Sequence, residues 1–129
     1  MNCPVCSEPM VVLELDQIEV DHCLNCYGVW LDSGELELLL EGSENRERLM
    51  EAFKNDRGAA EEKIRCPICS KKMNKILVSG TRRVLIDSCP ANDGLWFDSG
   101  ELLGIVELGD FPGDRRVIDL IRDVFGKKG

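Results

Sequence analysis

Cys3-Pro4-Val5-Cys6 and Cys23-Leu24-Asn25-Cys26 are the two stretches that decide how this chain folds. A structural zinc takes four ligands at the corners of a tetrahedron, and thiolate suits it well. Two cysteines two residues apart in a tight turn can point at one ion, and a second such turn completes the set. The spacing C-x2-C-x16-C-x2-C therefore nominates Cys3, Cys6, Cys23 and Cys26 as one zinc site. The chain has seven cysteines, an odd number, whereas a disulfide framework would normally pair every thiol.

The pattern recurs. Cys66-Pro67-Ile68-Cys69 repeats the first knuckle, and Gly94-Leu95-Trp96-Phe97-Asp98-Ser99-Gly100-Glu101-Leu102 repeats Gly28-Val29-Trp30-Leu31-Asp32-Ser33-Gly34-Glu35-Leu36. Cys66 follows Cys3 by 63 residues, but Trp96 follows Trp30 by 66. Three extra residues must sit between, and Ser79-Gly80-Thr81 is the expected place. Repeats of this kind mark units that bury their apolar faces against each other or against a metal.

In the second copy Cys66, Cys69 and Cys89 match, while Asn92, a poor ligand, stands where Cys26 stands in the first. Asp93 follows, and a carboxylate does bind zinc. The preferred reading is a site of Cys66, Cys69, Cys89 and Asp93. A water in the fourth position, a metal-free site, and Asp93 as a turn residue before Gly94 are the alternatives. His22, the one histidine, precedes Cys23 on an alternating segment and should point away from it. A surface or ligand-supporting role is expected for it.

Alternation of Ile18, Val20 and His22 with Glu19 and Asp21 reads as a strand, and Val84, Ile86 and Ser88 repeat it. Met10–Leu15 and Met73–Val78 are the expected partner strands. Asp32 with Glu35, and Asp98 with Glu101, have capping-box spacing and announce a short helix after each tryptophan. A linker helix from about Glu44 to Arg57 would carry Leu49, Met50 and Phe53. A tail helix from about Asp114 to Phe125 would carry Val117, Ile118, Ile121, Val124 and Phe125 on one face. Both are expected to cover the small modules, the tail helix being alternatively a partner contact.

The expected architecture is a small, metal-stabilised α+β chain. Ribbon 1 and its helix occupy 1–43, a helical linker 44–65, ribbon 2 and its helix 66–108, and an amphipathic helix 109–129. Each repeat is too short to bury enough apolar surface unaided, so metal is expected to substitute for core. The two ribbons could pack together as a pseudo-dimer. Trp30 and Trp96 are expected as core between ribbon and helix, with an interface role as the alternative.

Net charge is −8, and it is unevenly placed. Residues 1–41 contain no Lys or Arg, but hold Glu8, Glu14, Asp16, Glu19, Asp21, Asp32, Glu35, Glu37 and Glu41. Nucleic-acid binders usually present a basic footprint, which the first module cannot supply. Lys71, Lys72, Lys75, Arg82 and Arg83 could make a small basic patch on the second ribbon, and Arg115, Arg116, Lys127 and Lys128 another on the tail. Ordinary solvated charge is the favoured account of them, because nearby acids balance nearly all of it. No segment reads as a signal peptide or a membrane span, and paired Cys-x-x-Cys units suit a reducing cytoplasm.

Taken together, Cys-Pro-x-Cys, Cys-x-x-Cys and Gly-Val-Trp-Leu-Asp-x-Gly-Glu-Leu resemble the transcription factor IIB-type zinc-finger family of small prokaryotic proteins. The resemblance implies a zinc ribbon followed by a helix. In related sequences the last ligand can shift to a histidine just before the glycine, the slot Asp93 fills here. The resemblance also suggests protein contacts of a transcriptional kind, as an analogy of fold.

The function expected is that of a zinc-binding protein-interaction module with two zincs. A zinc-dependent hydrolase or thiol redox sensor at the second site is one alternative, and nucleic-acid binding through ribbon 2 and the tail another. No catalytic residue is nominated.

Overall fold

The computed structural model describes residues 1–55, 63–79, 83–109, 111–113 and 115–125. Two hairpins appear where the alternating segments predict them. Strands β1 (Val11–Leu15) and β2 (Ile18–His22) pair antiparallel, with Leu15 opposite Ile18. Asp16 and Gln17 join them at φ 51° and 71°. Positive φ at both central residues is the type I′ backbone, whose twist matches that of the flanking strands.

In the second copy, β5 (Asn74–Ser79) pairs with β6 (Arg83–Ser88), and Val78 lies opposite Val84. These are the counterparts of Leu15 and Ile18, so the three-residue insertion lies beyond that pair, at the hairpin tip. Gly80 and Thr81, the residues expected there with Ser79, fall outside the described residues.

The tryptophan motif forms a third strand in each copy, which alternation alone did not announce. β3 (Val29–Asp32) and β7 (Gly94–Phe97) each pair with their own hairpin and antiparallel with one another. Trp30 lies opposite Trp96, so a residue faces its own counterpart and a pseudo-twofold axis passes between them. The pseudo-dimer expected from the repeat is therefore real. A cross-copy bond from Ser33 N–H to Asp93 O at 3.0 Å continues the seam.

Among the described residues one seven-stranded sheet results, in the order β1-β2-β3-β7-β6-β5-β4. Its seventh strand corrects the linker reading. The linker helix is shorter than expected, α2 (Arg46–Glu51), and the chain then turns into strand β4 (Phe53–Asn55) along β5. Phe53 pairs with Val78 instead of continuing the helix, because an unpaired sheet edge offers its backbone a ladder. Arg57 lies outside the described residues.

Helices α1 (Glu35–Leu39) and α3 (Glu101–Glu107) follow the two tryptophan strands as expected. The tail helix α4 (Arg116–Phe125) packs against α3 and returns to β1. Ile118, Ile121 and Phe125 are buried, Val117 is half-buried, and Val124 is 41% exposed, so the apolar stripe is narrower than its sequence. One face of the sheet carries the aliphatic core, from Leu15, Val20 and Leu31 through Ile86 and Phe97, covered by these helices. A second buried cluster holds Trp30, Trp96, Met73 and four of the cysteines.

Candidate metal centres

The first knuckle is closed by its backbone. Ser7 N–H bonds to Cys3 O at 2.9 Å, with Ser7 in the left-handed region. The second does the same through Tyr27 N–H and Cys23 O, and Cys66–Ser70 repeats the turn in the second copy. Backbone N–H groups also point at sulfur, from Val5 to Cys3, Cys26 to Cys23 and Ile68 to Cys66, each at 3.4 Å. Such donors stabilise the thiolate form that a metal requires.

The fourth knuckle departs from this scheme, and the departure explains its sequence. Its turn closes one residue earlier, with Asn92 N–H on Cys89 O at 3.0 Å and Asn92 itself left-handed. Asp93, one residue on, then swings into the ligand corner. Cys89 N–H still reaches Gly94 O at 3.1 Å, as Cys23 N–H reaches Gly28 O at 3.0 Å, so the loop exits alike in both copies.

Two tetrads result, Cys3, Cys6, Cys23, Cys26 and Cys66, Cys69, Cys89, Asp93, and in each the ligand atoms lie within 4.8 Å of one another. A tetrahedral zinc with Zn–S of about 2.3 Å sets its sulfurs about 3.8 Å apart. Sulfur pairs stand at 3.5 Å (Cys3–Cys26), 3.4 Å (Cys6–Cys23) and 3.6 Å (Cys69–Cys89). Disulfides would need about 2.05 Å, and all seven cysteines are free. With Zn–O of about 2.0 Å, a carboxylate oxygen should stand about 3.5 Å from each sulfur. Asp93 Oδ2 lies 3.5 Å from Cys66 Sγ and 3.4 Å from Cys89 Sγ. Both donor sets fit zinc.

Burial pushes the Cys3 thiol well up, the Cys26 thiol up, and the Cys66 thiol up to about 12. The Asn25 side chain and the Glu8 backbone hold Cys6 down at about 7. Hydrogen bonds from the Cys69 and Cys89 thiols hold Asp93 below the usual carboxylate range. The buried thiols therefore keep their protons at neutral pH until a metal displaces them.

The tryptophan motif holds the two centres together. Trp30 and Trp96 are fully buried. A Cβ at Gly28 would fall inside the indole of Trp96, and one at Gly94 would meet both the indole of Trp30 and the carbonyl of Leu31. Each tryptophan thus lies over the glycine of the other copy, and not between its own ribbon and helix as expected. Burying each contributes roughly 4–6 kcal/mol of gross stabilisation.

The indole N–H groups donate to Asp32 Oδ1 at 2.9 Å and Asp98 Oδ1 at 3.0 Å. Glu35 and Glu101 accept from Asp32 N–H at 2.6 Å and Asp98 N–H at 2.8 Å. Only this glutamate half of the expected capping box forms. The aspartates serve the indoles, and Gly34 and Gly100, at φ 92° and 84°, occupy the helix N-caps. Sequence reasoning missed the roles of Gly28, Gly94, Asp32 and Asp98, although their recurrence at equal offsets from each tryptophan was the available signal.

His22 is buried, not at the surface. Because the end of α4 returns to the first hairpin, its ring sits edge-on to Phe125 with centroids 5.1 Å apart. Its Nδ1 lies 3.0 Å from Gly28 O, the acceptor that closes the Cys23 turn, so it braces the knuckle without belonging to the tetrad. Lys75 leaves the suggested basic patch. It is buried in an ion pair with Asp87 at 2.7 Å, with side chains 4% and 1% exposed. Lys71, Lys72, Arg83, Arg115 and Arg116 are exposed, while Arg82, Lys127 and Lys128 lie outside the described residues.

Among the described residues no helix is long and apolar enough to cross a membrane. Comparison with curated proteins and with solved structures found no match. The family model described as transcription factor zinc-finger matches residues 2–42 and 65–108. Those two segments contain both tetrads and both tryptophan motifs, and the chain belongs to that zinc-ribbon family as two tandem copies joined through one sheet.

Proposed function

We propose that this zinc-binding chain is a rigid double ribbon whose work is to bind another protein, in a transcriptional setting, within the cytoplasm. The observation that carries the reading is the single buried cluster of cysteines and tryptophans, in which Asp93 fills the corner that a reactive zinc would leave open. Zinc bound there supplies cross-linking of the chain. The surface this reading draws on is that of the first module, with its nine acids and no Lys or Arg within residues 1–41. Such a surface favours basic protein partners and repels nucleic acid.

The hydrolase and redox alternatives draw on an open or weak fourth position and gain nothing from this geometry. The test is a titration of the zinc-loaded chain against purified RNA polymerase, duplex DNA and RNA at low salt. Saturable binding to polymerase alone is expected. Binding to nucleic acid in preference to polymerase, or to neither, sinks the proposal.

A further inference from the structure

The pseudo-twofold axis makes the two halves comparable position by position, and they differ at the sheet edges. In the second copy the outer strand β5 is covered by β4, with Phe53 opposite Val78, Lys54 opposite Leu77 and Asn55 opposite Ile76. The equivalent strand in the first copy, β1, ends the sheet and has no outer neighbour among the described residues. Its counterparts to Val78, Leu77 and Ile76 are Leu15, Glu14 and Leu13. In a two-residue hairpin the pair flanking the turn is hydrogen-bonded, and bonding then alternates along the strand. Leu15, Leu13 and Val11 therefore bond inward to β2, and the N–H and C=O of Glu14 and Val12 face outward.

On the face that carries Val12, this edge also lacks the cover present in the other half. Val12 is 61% exposed, where its counterpart Lys75 is buried against Asp87. Asp21, the counterpart of Asp87, stands opposite Val12 with no lysine on that strand position.

We infer that the open edge of β1 takes up an extended, basic segment of a partner protein as an eighth, antiparallel strand. Main-chain bonds to Val12 and Glu14 supply the attachment, as in other strand additions. Residues opposite Val12 and Glu14 are Lys or Arg, one meeting Glu14 across the ladder and one leaning over Val12 toward Asp21. Residues opposite Leu13 and Leu15 are apolar, as Phe53 is opposite Val78. A second copy is the wrong occupant, because β1 against β1 would bring together two modules that each lack any Lys or Arg in residues 1–41, and like charges across strands destabilise pairing. The inference rests on the protein-docking reading above and names its site.

The experiment is amide exchange by NMR on the full, zinc-loaded chain. The probes are the blocked peptide Val-Lys-Val-Lys-Phe-Lys and its counterpart with Glu in place of every Lys. At nine-tenths occupancy the lysine peptide should slow exchange at Val12 and Glu14 about tenfold, since only the free fraction exchanges. The glutamate peptide should do nothing. Val12→Pro, tolerated at an edge, should abolish the protection at Glu14 while the zinc content stays at two. Glu14→Lys should exchange the preference for the two peptides.

Unchanged exchange at saturating lysine peptide, equal binding of the glutamate peptide, or undiminished binding by Val12→Pro overturns the inference. So does concentration-dependent protection of the edge without peptide, which would make a second copy the occupant. Polymerase binding that survives Val12→Pro defeats the edge alone and leaves the docking reading standing; loss of polymerase binding by wild type defeats the latter.

Discussion

Replacing Gly28 by alanine puts a methyl group inside the indole of Trp96, and the same change at Gly94 puts one inside the indole of Trp30. The two substitutions look equivalent by symmetry but should not cost the same. Around Gly28 the three nearest atoms all belong to the Trp96 side chain, whereas the nearest atom at Gly94 is the backbone carbonyl of Leu31. Carbon atoms pack about 3.5–4.0 Å apart, so the Trp96 indole must retreat by more than about 1 Å. Overpacking of this kind costs about 1–3 kcal/mol, occasionally more. We expect about 2–3 kcal/mol for Gly28→Ala and more than about 3 kcal/mol for Gly94→Ala, since the β3 backbone is held in the sheet. Neither glycine has positive φ, so neither penalty comes from backbone conformation.

Trp96→Phe removes the far end of the indole that the new methyl would strike. The double-mutant cycle of Gly28→Ala with Trp96→Phe should therefore show a rescue of about 1–2 kcal/mol. The matching cycle of Gly94→Ala with Trp30→Phe should recover less than about 0.5 kcal/mol, because the Leu31 carbonyl remains. Urea melts of the zinc-loaded proteins measure both cycles. Equal coupling in the two, or glycine substitutions without effect, would show that the exchange of tryptophans across the axis is not what holds the halves together.

The second centre should follow Asp93. Asp93→Ala should lower zinc content under chelator challenge from two to one, and Asp93→Cys should restore two, both read by native mass spectrometry; two zincs retained in the alanine variant would remove Asp93 from the ligand set. Zinc binding should also become weaker as pH falls. Cys3, Cys26 and Cys66 are protonated at neutral pH because their thiols are raised, so binding must release their protons. Calorimetry at pH 7 in buffers of different ionisation heat should count at least three protons per chain, and a smaller count would contradict the protonation assigned to them. Lys75→Met should cost about 3–5 kcal/mol by stranding Asp87 in the interior. Lys75→Met with Asp87→Leu should recover much of that in the same melts, whereas additive losses would mean the pair does not act as one.

Much of the metal chemistry was legible because it is local. A Cys-x-x-Cys turn aims both sulfurs by its own backbone, and so three of the four knuckles could be read from spacing alone. Asp93 could be nominated by chemistry, but its placement depends on the early closure of the turn at Asn92, a backbone choice that no residue type dictates. The hairpins and the tail helix were readable from their periodicity, and the helices after the tryptophans from the Asp–Glu spacing. The β3–β7 seam was not, since Val29–Asp32 and Gly94–Phe97 are apolar runs of four without alternation, whose pairing is decided by distant chain. His22, Lys75 and Phe53 went astray for a shared reason. Each is covered or paired by a residue from another element, Phe125 of α4 for His22, Asp87 across the hairpin for Lys75 and β5 for Phe53, and helical or surface character was assigned to them from sequence neighbours only.

The seam between Trp30 and Trp96 has a consequence for how the protein comes into being. A half that ends before Gly94 leaves Trp30 without the glycine it covers, so the amino-terminal ribbon cannot close its own interior while it is being synthesised. Had the halves been separate molecules, their meeting would depend on dilution. Joined in one chain, each finds its counterpart at an effective concentration in the millimolar range whatever the abundance of the protein in the cell. The union also releases the halves from identity. One ligand corner can become a carboxylate, one edge can acquire a strand and one hairpin can lengthen, because only the two strands at the seam must still meet.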